Sequence, residues 1–263
     1  MKRLILIIFL IIFLFLGLYI YKEARLKGAG VPIIRYHRVA PRHVLGFREP
    51  PWLFDRQMRY LKWRGYQTVS LNDVVGYLEK GKRLPRRSMV ITFDDGYEDN
   101  YFYAEPILRK YGFKATIFVV VNGVGGTNFW DEGSRAPRLR MLSWREIKRL
   151  QKQGVDIESH TLNHRHTLMT LMTEDELRRE ILGSRVILEE KLGRPVRFLA
   201  YPYGETNPRL EKLVKQSGYR GAVSVQEGEN GKNVDVYDLK RIRIRGRDGF
   251  PGFLDFLWFA WRF

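Results

Sequence analysis

The sequence predicts an α/β domain with a parallel sheet that is closed, or nearly closed, into a barrel. Short runs rich in β-branched and aromatic residues alternate with longer segments of helical period, as in repeated strand–helix–strand units. The chain has 263 residues, which suits one barrel of roughly 200 to 250 residues and leaves no room for a second large domain. Seven or eight such units favour a barrel over an open sheet, although periodicity alone does not choose between them.

Eight segments have the composition of strands. They begin at Val31, Tyr66, Ser88, Lys114, Val155, Val196, Arg220 and Leu239 and read VPIIRY, YQTVSL, SMVITF, KATIFVVV, VDIES, VRFLAY, RGAVSV and LKRIRI. Asp94 and Asp95 end the third of these runs, His160 and His164 follow the fifth, and YPYGETN follows the sixth. Because ligands collect at the carboxyl ends of parallel strands, we expect these residues to meet at one end of the domain.

Helix signals separate several of these strands. Capping boxes are formed by Ser143 with Glu146 and by Thr173 with Glu176. Asn207 precedes a proline at the first position of a further helix.

Residues 1–30 form a separate segment, an N-terminal signal anchor with its linker. Eighteen uncharged and almost wholly apolar residues run from Leu4 to Tyr21. About eighteen such residues reach the lower length limit of a membrane-spanning helix. We therefore expect one N-terminal transmembrane helix, with the folded domain membrane-anchored and extracytoplasmic. A cleaved signal peptide with a site near KGAG and a buried N-terminal helix are the alternatives.

The composition restricts the partners and the metal ligands. The formal net charge of +17 suits an anionic cell-envelope polymer or membrane lipid, or simply keeps the surface soluble. No nucleic-acid-binding module is recognisable, so nucleic acid is not an expected partner. The chain has no cysteine, which rules out disulfides and thiolate metal ligands.

Two segments are rich in aromatic residues. The loop from Asn122 to Leu142 carries Phe129 and Trp130, whose rings could stack on a sugar, although such rings more often belong to a core. The C-terminal tail, residues 251–263, is most simply a last element packed on the barrel. A membrane-interface or partner contact is the alternative for this tail.

The strongest metal-binding signal is the segment SHTLNHRH. It holds His160, His164 and His166, three of the five histidines of the chain. His160 and His164 are four residues apart, so we expect one helical turn to place both imidazoles on the same side.

Two adjacent carboxylates complete this pattern. Asp94 and Asp95 lead into Gly96, which ends the pleat and allows both to turn toward one pocket. Two histidines and one carboxylate leave coordination positions open, as a hydrolytic metal requires. We expect one divalent metal ion, with zinc as the default and cobalt, nickel, manganese and iron also compatible. The spacing does not distinguish the roles of the two aspartates.

Three motifs, in order, resemble those of the polysaccharide deacetylases of carbohydrate esterase family 4, the NodB-homology domain. They are TFDDG (Thr92 to Gly96), SHTLNH (Ser159 to His164) and YPYG (Tyr201 to Gly204). The resemblance spans about residues 31 to 245 and implies a distorted (β/α) barrel of the TIM type. We therefore assign the deacetylase domain to residues 31–250.

The resemblance also implies roles for individual residues. Asp94 would be the catalytic base, and Asp95 with His160 and His164 would hold the metal. The backbone N–H of Tyr203 would contribute to the oxyanion hole.

The sequence departs from the family at two places. Many members carry an arginine just before the third motif that positions the base, whereas Ala200 stands there in this chain. A late Leu-x-His motif that supplies the general acid has no counterpart, since LKRIRIRG contains Arg241 and Arg243 but no histidine. The candidates for the proton donor are His37, His166 and Asp94 itself.

The first functional hypothesis is a metal-dependent hydrolase that removes N-acetyl groups from an N-acetylglucosamine polymer, either an exopolysaccharide or peptidoglycan of the cell wall. The forms AYPYGE, YH and MLSW resemble the branch that acts on poly-N-acetylglucosamine. The alternatives are a glycan-binding module that has lost turnover, and an O-acetyl polysaccharide esterase that uses the same residues.

Overall fold

The computed structural model describes residues 30–41, 48–133, 136–165 and 171–259. Strands and helices alternate along most of this part of the chain. The strands are β1 (Ile33–Tyr36), β2 (Arg38–Val39), β3 (Arg48–Glu49), β4 (Gln67–Thr68), β5 (Ser88–Phe93), β6 (Thr116–Val119), β7 (Asp156–Ser159), β8 (Phe198–Ala200), β9 (Gly221–Val223) and β10 (Ile242–Arg243). The helices are α1 (Pro51–Trp63), α2 (Leu71–Lys80), α3 (Glu105–Tyr111), α4 (Trp144–Lys152), α5 (Glu174–Arg178), α6 (Ser184–Leu192), α7 (Pro208–Gln216) and α8 (Gly249–Phe259).

The main sheet is parallel and fits a TIM-like barrel. Its strand order is β10-β1-β5-β6-β7-β8-β9, and β4 also pairs with β5. A parallel bridge joins Val223 of β9 to Leu239, just before β10, so the two ends of this order are connected. Each of the eight segments predicted as strands contains one. The sequence did not predict the separate two-stranded pair of β2 and β3.

Two apolar clusters lie on opposite faces of this sheet, as the alternation of side chains along a strand requires. Ile34 and Ile91 are register partners in the larger cluster, which lies between the sheet and the helices. Ile33 and Val90, one position earlier, are register partners in the smaller cluster. Asp94 continues the face of Val90 beyond the carboxyl end of β5, so the inner face changes there from apolar to charged.

The predicted helix signals lie at helix starts. Ser143 and Thr173 accept hydrogen bonds from the backbone N–H groups of Glu146 and Glu176, and both capping boxes are complete. Asn207 caps α7 by accepting from the N–H of Leu210. Two π-helical turns, Asn100–Ala104 before α3 and Arg179–Gly183 between α5 and α6, were not predicted.

The C-terminal aromatic segment forms α8, which packs against α1. The ring of Tyr60 lies 5.8 Å from that of Phe250 and 6.4 Å from that of Phe253. The guanidinium of Arg56 lies 4.1 Å from the Phe250 ring. These contacts fit the interpretation of this segment as a last element packed on the domain.

The predicted N-terminal anchor lies outside the described residues. Within the ranges that the structure describes, none of the helices has the length and apolar character needed to cross a membrane.

Candidate active site

The site begins where β5 ends. Asp95 and Gly96 have positive φ angles of 72° and 83°, so the backbone leaves the pleat directly after Asp94. A Cβ atom on Gly96 would lie 2.9 Å from Cγ1 of Val119, so both space and conformation require glycine. Asp94 and Asp95 are 3% and 7% exposed. The turn therefore brings two adjacent carboxylates into a buried position.

Asp95, His160 and His164 converge on one point. The Nε2 atoms of His160 and His164 lie 3.3 Å and 3.4 Å from Oδ1 of Asp95. The three candidate ligand atoms lie within 4.8 Å of one another, and all three side chains are buried. In a tetrahedral zinc site with bonds of about 2.1 Å, neighbouring ligand atoms are about 3.4 Å apart. The dimensions of the cluster therefore fit one divalent cation.

The hydrogen bonding of His160 fits a cation as well. Its Nδ1 lies 2.8 Å from the carbonyl oxygen of Ala200, and a carbonyl can only accept, so Nδ1 donates. In the neutral ring, Nε2 then presents a lone pair to the carboxylate of Asp95, and a cation between these two acceptors relieves their repulsion. Burial by itself raises the pKa of Asp95, but in the absence of a cation, hydrogen bonding from His160 and the charge of His164, in their protonated forms, lower it to about 2. Burial and His160 also lower the pKa of His164 to about 4.

A helical turn does not bring the two histidines together, and that prediction was wrong. Residues 160–165 form an irregular loop, in which Thr161 and His164 have positive φ angles of 64° and 50°. The backbone N–H of His164 donates to Oγ1 of Thr161 at 3.3 Å. The loop therefore places both rings on the cation position without helical backbone geometry.

A buried carboxylate that the sequence analysis missed holds this loop. Glu180 is 3% exposed, and its Oε2 accepts from the backbone N–H groups of Leu162 at 3.2 Å and Asn163 at 3.0 Å. Its Oε1 accepts from Nδ2 of Asn163 at 2.6 Å. Glu180 is three residues after Leu177 and lies on the same buried face of the helical segment. A charged residue at such a position indicates a buried carboxylate with a structural partner, and this pattern is visible in the sequence.

Asp94 is held by an arginine from the far end of the chain. The side chain of Arg241, which is 1% exposed, donates NH1 to Oδ1 at 2.6 Å and NH2 to Oδ2 at 2.8 Å. Its Nε donates to the carbonyl of Ser224 at 2.8 Å. Burial by itself raises the pKa of Asp94, but Arg241 outweighs burial and holds that pKa well below its usual range.

Arg241 thus makes the contact with Asp94 that the resemblance assigns to an arginine before the third motif. In the sequence, Arg241 stands in the segment LKRIRIRG, where the family resemblance implies a histidine. The feature of the sequence that indicates a buried arginine here is the alternation of arginine with isoleucine along LKRIRI. Because alternate side chains of a strand point to opposite faces, isoleucines packed on the outer face place the arginines on the inner face of the barrel.

The other predicted site residues lie around this centre. The ring of His164 lies 5.0 Å from Trp130 and 4.8 Å from Tyr203. Tyr203 has a positive φ of 58° in the turn Pro202–Gly204. His37 follows β1, and burial lowers its pKa to about 4 although Asp95 and Asp94 act in the opposite direction. His166 lies outside the described residues.

A shallow cavity opens beside His164. It has a volume of about 280 Å³ and is lined by Phe129, Trp130, Asn163, His164 and Arg165. Aromatic rings beside polar groups are typical of a carbohydrate-binding surface.

Comparisons with known proteins agree with this geometry. The profile of the family described as Polysaccharide deacetylase matches residues 81–222. The chain is 31% identical over 245 residues to a poly-beta-1,6-N-acetyl-D-glucosamine N-deacetylase of Staphylococcus aureus, covering 85% of this chain and 81% of that protein. The chain therefore belongs to the polysaccharide deacetylase family, and the predicted resemblance is confirmed.

Solved structures show the same fold. The Streptococcus pyogenes deacetylase PplD, in complex with acetate, superposes with a TM-score of 0.75 and 26% identity over 87% of this chain and 98% of that one. IcaB from Ammonifex degensii superposes with a TM-score of 0.73 and 24% identity over 87% of this chain and 97% of that one.

Proposed function

We propose that this polysaccharide deacetylase is metal-dependent and removes N-acetyl groups from poly-N-acetylglucosamine. The observation that carries the proposal is the pairing of two differently held carboxylates. Asp95 lies within 3.4 Å of two histidine Nε2 atoms, whereas Asp94 is bound by Arg241 through both oxygens. One carboxylate is thus available for a metal, and its neighbour is available for a proton.

The chain's residues divide the reaction between them. Asp95, His160 and His164 would hold a divalent cation, for which zinc is the default, and this cation would supply Lewis-acid polarisation of the acetyl carbonyl and of a water molecule. Asp94 takes the proton from the attacking water. The low pKa of Asp94 keeps its carboxylate ionised and ready to accept a proton at neutral pH. The backbone N–H of Tyr203 donates to the oxyanion that develops on the carbonyl oxygen.

The leaving amine must gain a proton before the C–N bond breaks. Asp94 has just taken one, lies in the same pocket and returns it to the amine. His37 is a second candidate donor because its ring is near enough to both aspartates to interact with their charges.

Two further features of the proposal concern the substrate and the location. The relatives named poly-beta-1,6-N-acetyl-D-glucosamine N-deacetylases support a β-1,6-linked glycan as the substrate. The rings of Trp130 and Tyr203 flank the proposed metal ligand His164, where a sugar would lie.

The eighteen uncharged and almost wholly apolar residues from Leu4 to Tyr21 support a membrane-anchored, extracytoplasmic enzyme.

Acetate release by the full chain in mild detergent tests the proposal. The substrates are β-1,6 and β-1,4 N-acetylglucosamine oligomers, with the protein first stripped of metal and then reloaded with zinc, cobalt or nickel. We expect metal to restore release, and Asp94→Asn to lower kcat by about 100-fold or more while the bound metal, measured by elemental analysis, is retained.

The exposed Asp175 offers a matched control, since Asp175→Asn makes the same chemical change away from the site. Binding of oligomers without release by metal-loaded protein would contradict the proposal in favour of a glycan-binding module. Release from O-acetylated oligomers alone would contradict it in favour of an esterase.

A further inference from the structure

A row of arginines leads from the buried base to the surface. Arg241 contacts Asp94 and is 1% exposed, Arg243 and Arg245 are half-buried, and Arg247 is exposed. Ile242 and Ile244 alternate with them and are buried, and Ile244 belongs to the cluster between sheet and helices. The arginines from 241 to 245 therefore face the other side, toward the site. We call residues 241, 243, 245 and 247 the arginine row.

Arg35 adds a further positive charge beside this row. Arg35 lies on β1, where it is the register partner of Arg243 on β10 and of Thr92 on β5. Like charges at directly opposed positions of a sheet are unfavourable unless an anion compensates them. Burial, followed by the charge of Arg241, lowers the pKa of Arg35 to about 10, so this guanidinium remains charged at neutral pH.

The carboxylates near Arg35 are already engaged. Asp94 has both oxygens bound by Arg241, and Asp95 lies between two histidines. Arg35 is only 8% exposed, and its Nε has no hydrogen-bond partner among the described residues. A buried guanidinium nitrogen without an acceptor is costly, which points to an acceptor that comes from a ligand.

Two acids act on the outer part of the row. The charges of Glu227 and Asp248 act on Arg243 from exposed positions, and Asp248 also pairs with Arg247 at 3.6 Å. At exposed positions such pairs are screened by solvent. Arg35 is buried, so its charge is screened less by solvent than these exposed pairs are.

We propose that Arg35 and Arg243 form an anion subsite beside the catalytic centre, which binds a carboxylate or phosphate substituent on the glycan chain. This inference rests on the proposed deacetylase function and narrows its substrate to glycans that carry acidic groups near the N-acetylated sugar. The planar fork of a guanidinium matches both anions, and such hydrogen bonds are stronger than those between neutral groups. The rest of the arginine row extends the favourable potential along the chain of sugars.

The test uses three versions of one N-acetylglucosamine oligomer. The first carries an O-linked succinate with a free carboxylate, the second carries an O-linked phosphate, and the third carries the neutral methyl ester of the same succinate. Calorimetry gives the Kd of each oligomer for the zinc-loaded full chain, and acetate release gives kcat and KM. The variants are Arg35→Gln, Arg35→Lys and Arg243→Gln, with Arg83→Gln as the control.

We expect the wild-type chain to bind at least one charged oligomer about tenfold more tightly than the neutral ester. Arg35→Gln and Arg243→Gln remove this preference through KM, and Arg35→Lys retains part of it because the charge remains. The control Arg83 is exposed in the loop before β5, at the opposite end of the strands, and Arg83→Gln retains the full preference. The phosphate and succinate arms show which anion the subsite prefers.

Equal affinity of the wild-type chain for charged and neutral oligomers would overturn the inference. A second result would also overturn the inference. In it, Arg35→Gln and Arg243→Gln lower kcat equally on all three oligomers but keep the preference in Kd. Arg35 would then affect the proposed base Asp94 without binding the substituent. The binding arm separates the two proposals. Selective binding that is lost in Arg35→Gln, without acetate release from any oligomer, would uphold the subsite and refute the deacetylase function.

Discussion

At the scale of single residues, the buried pair of Asp94 and Arg241 determines how the proposed base behaves. A buried carboxylate without a partner takes up a proton readily, because burial disfavours its charge. The bidentate contact with Arg241, at 2.6 Å and 2.8 Å, reverses this tendency. Arg241 does not reach the metal ligands through any described hydrogen bond, so it is a positioning residue for Asp94.

We predict that Arg241→Gln shifts the acid limb of the pH profile of kcat/KM to higher pH. The substitution removes the charge that lowers the pKa of Asp94, so this pKa rises and the ionised fraction at a given acidic pH falls. At pH 7 we expect a loss of about 100-fold or less, with a smaller loss in Arg241→Lys, which retains the charge without the fork. Steady-state kinetics across pH measure both effects.

The exposed Arg145 on α4 provides the matched control, Arg145→Gln. Circular dichroism establishes that each variant is folded, since the loss of one partner of a buried ion pair also destabilises a protein. An acid limb that stays in place in folded Arg241→Gln would contradict the role assigned to Arg241.

At the scale of secondary structure elements, both described π-helical turns support loops of the site. Asn100 begins the turn before α3, and its Nδ2 donates to the carbonyl of His37 at 2.9 Å. Glu180, in the turn between α5 and α6, accepts both N–H groups of Leu162 and Asn163. A π turn changes the direction of the following side chains, and such turns are frequent at functional sites. Here each one aims a buried polar side chain at a loop that carries a histidine.

We predict that Glu180→Gln weakens zinc binding by about tenfold, because supporting residues of this kind typically contribute 10- to 100-fold to metal affinity. Glutamine retains one acceptor oxygen but replaces the other with a donor, which opposes the backbone N–H groups of the loop. His164 is then held less firmly. A competition titration against a chelator gives the affinity.

Glu190→Gln, at an exposed position on α6, makes the same change without touching the loop. Zinc affinity that is unchanged in folded Glu180→Gln would show that the loop keeps its shape without this carboxylate.

At the scale of the whole molecule, a buried polar chain links three distant elements. Tyr36 of β1 donates to Gln57 of α1 at 2.9 Å, and Gln57 donates to Glu49 of β3 at 3.0 Å. Glu49 is 2% exposed, and burial raises its pKa from 4.5 to about 7. The ionised form of Glu49 is therefore unfavourable in the folded protein.

We predict that the stability of the wild-type protein falls as pH rises from 4.5 to about 7, and that Glu49→Gln abolishes this fall. The folded pKa lies above the unfolded value, so folding takes up a proton in this window and the wild-type stability falls as pH rises through it. Above pH 7 the variant is more stable by up to about 3 kcal/mol, and this difference decreases as pH falls from about 7 to 4.5. Urea unfolding at several pH values measures the difference.

The exposed Glu132 offers the control Glu132→Gln, for which stability should follow the wild type at every pH. A difference between Glu49→Gln and the wild type that does not change with pH would contradict the account of Glu49.

The sequence by itself determined the eight strands of the main sheet, three helix starts, the family and the metal ligand candidates, because each depends on a local pattern. Alternating apolar runs, capping residues and the motifs around Asp94 and His160 are all readable within a few positions. Only the tertiary structure decided that Arg241 holds Asp94, that Glu180 shapes the loop before His164, and that Arg35 faces Arg243. The residues in these three contacts are 147, 17 and 208 positions apart in the chain. Chain spacing carries no information on which buried charges meet once the sheet has formed.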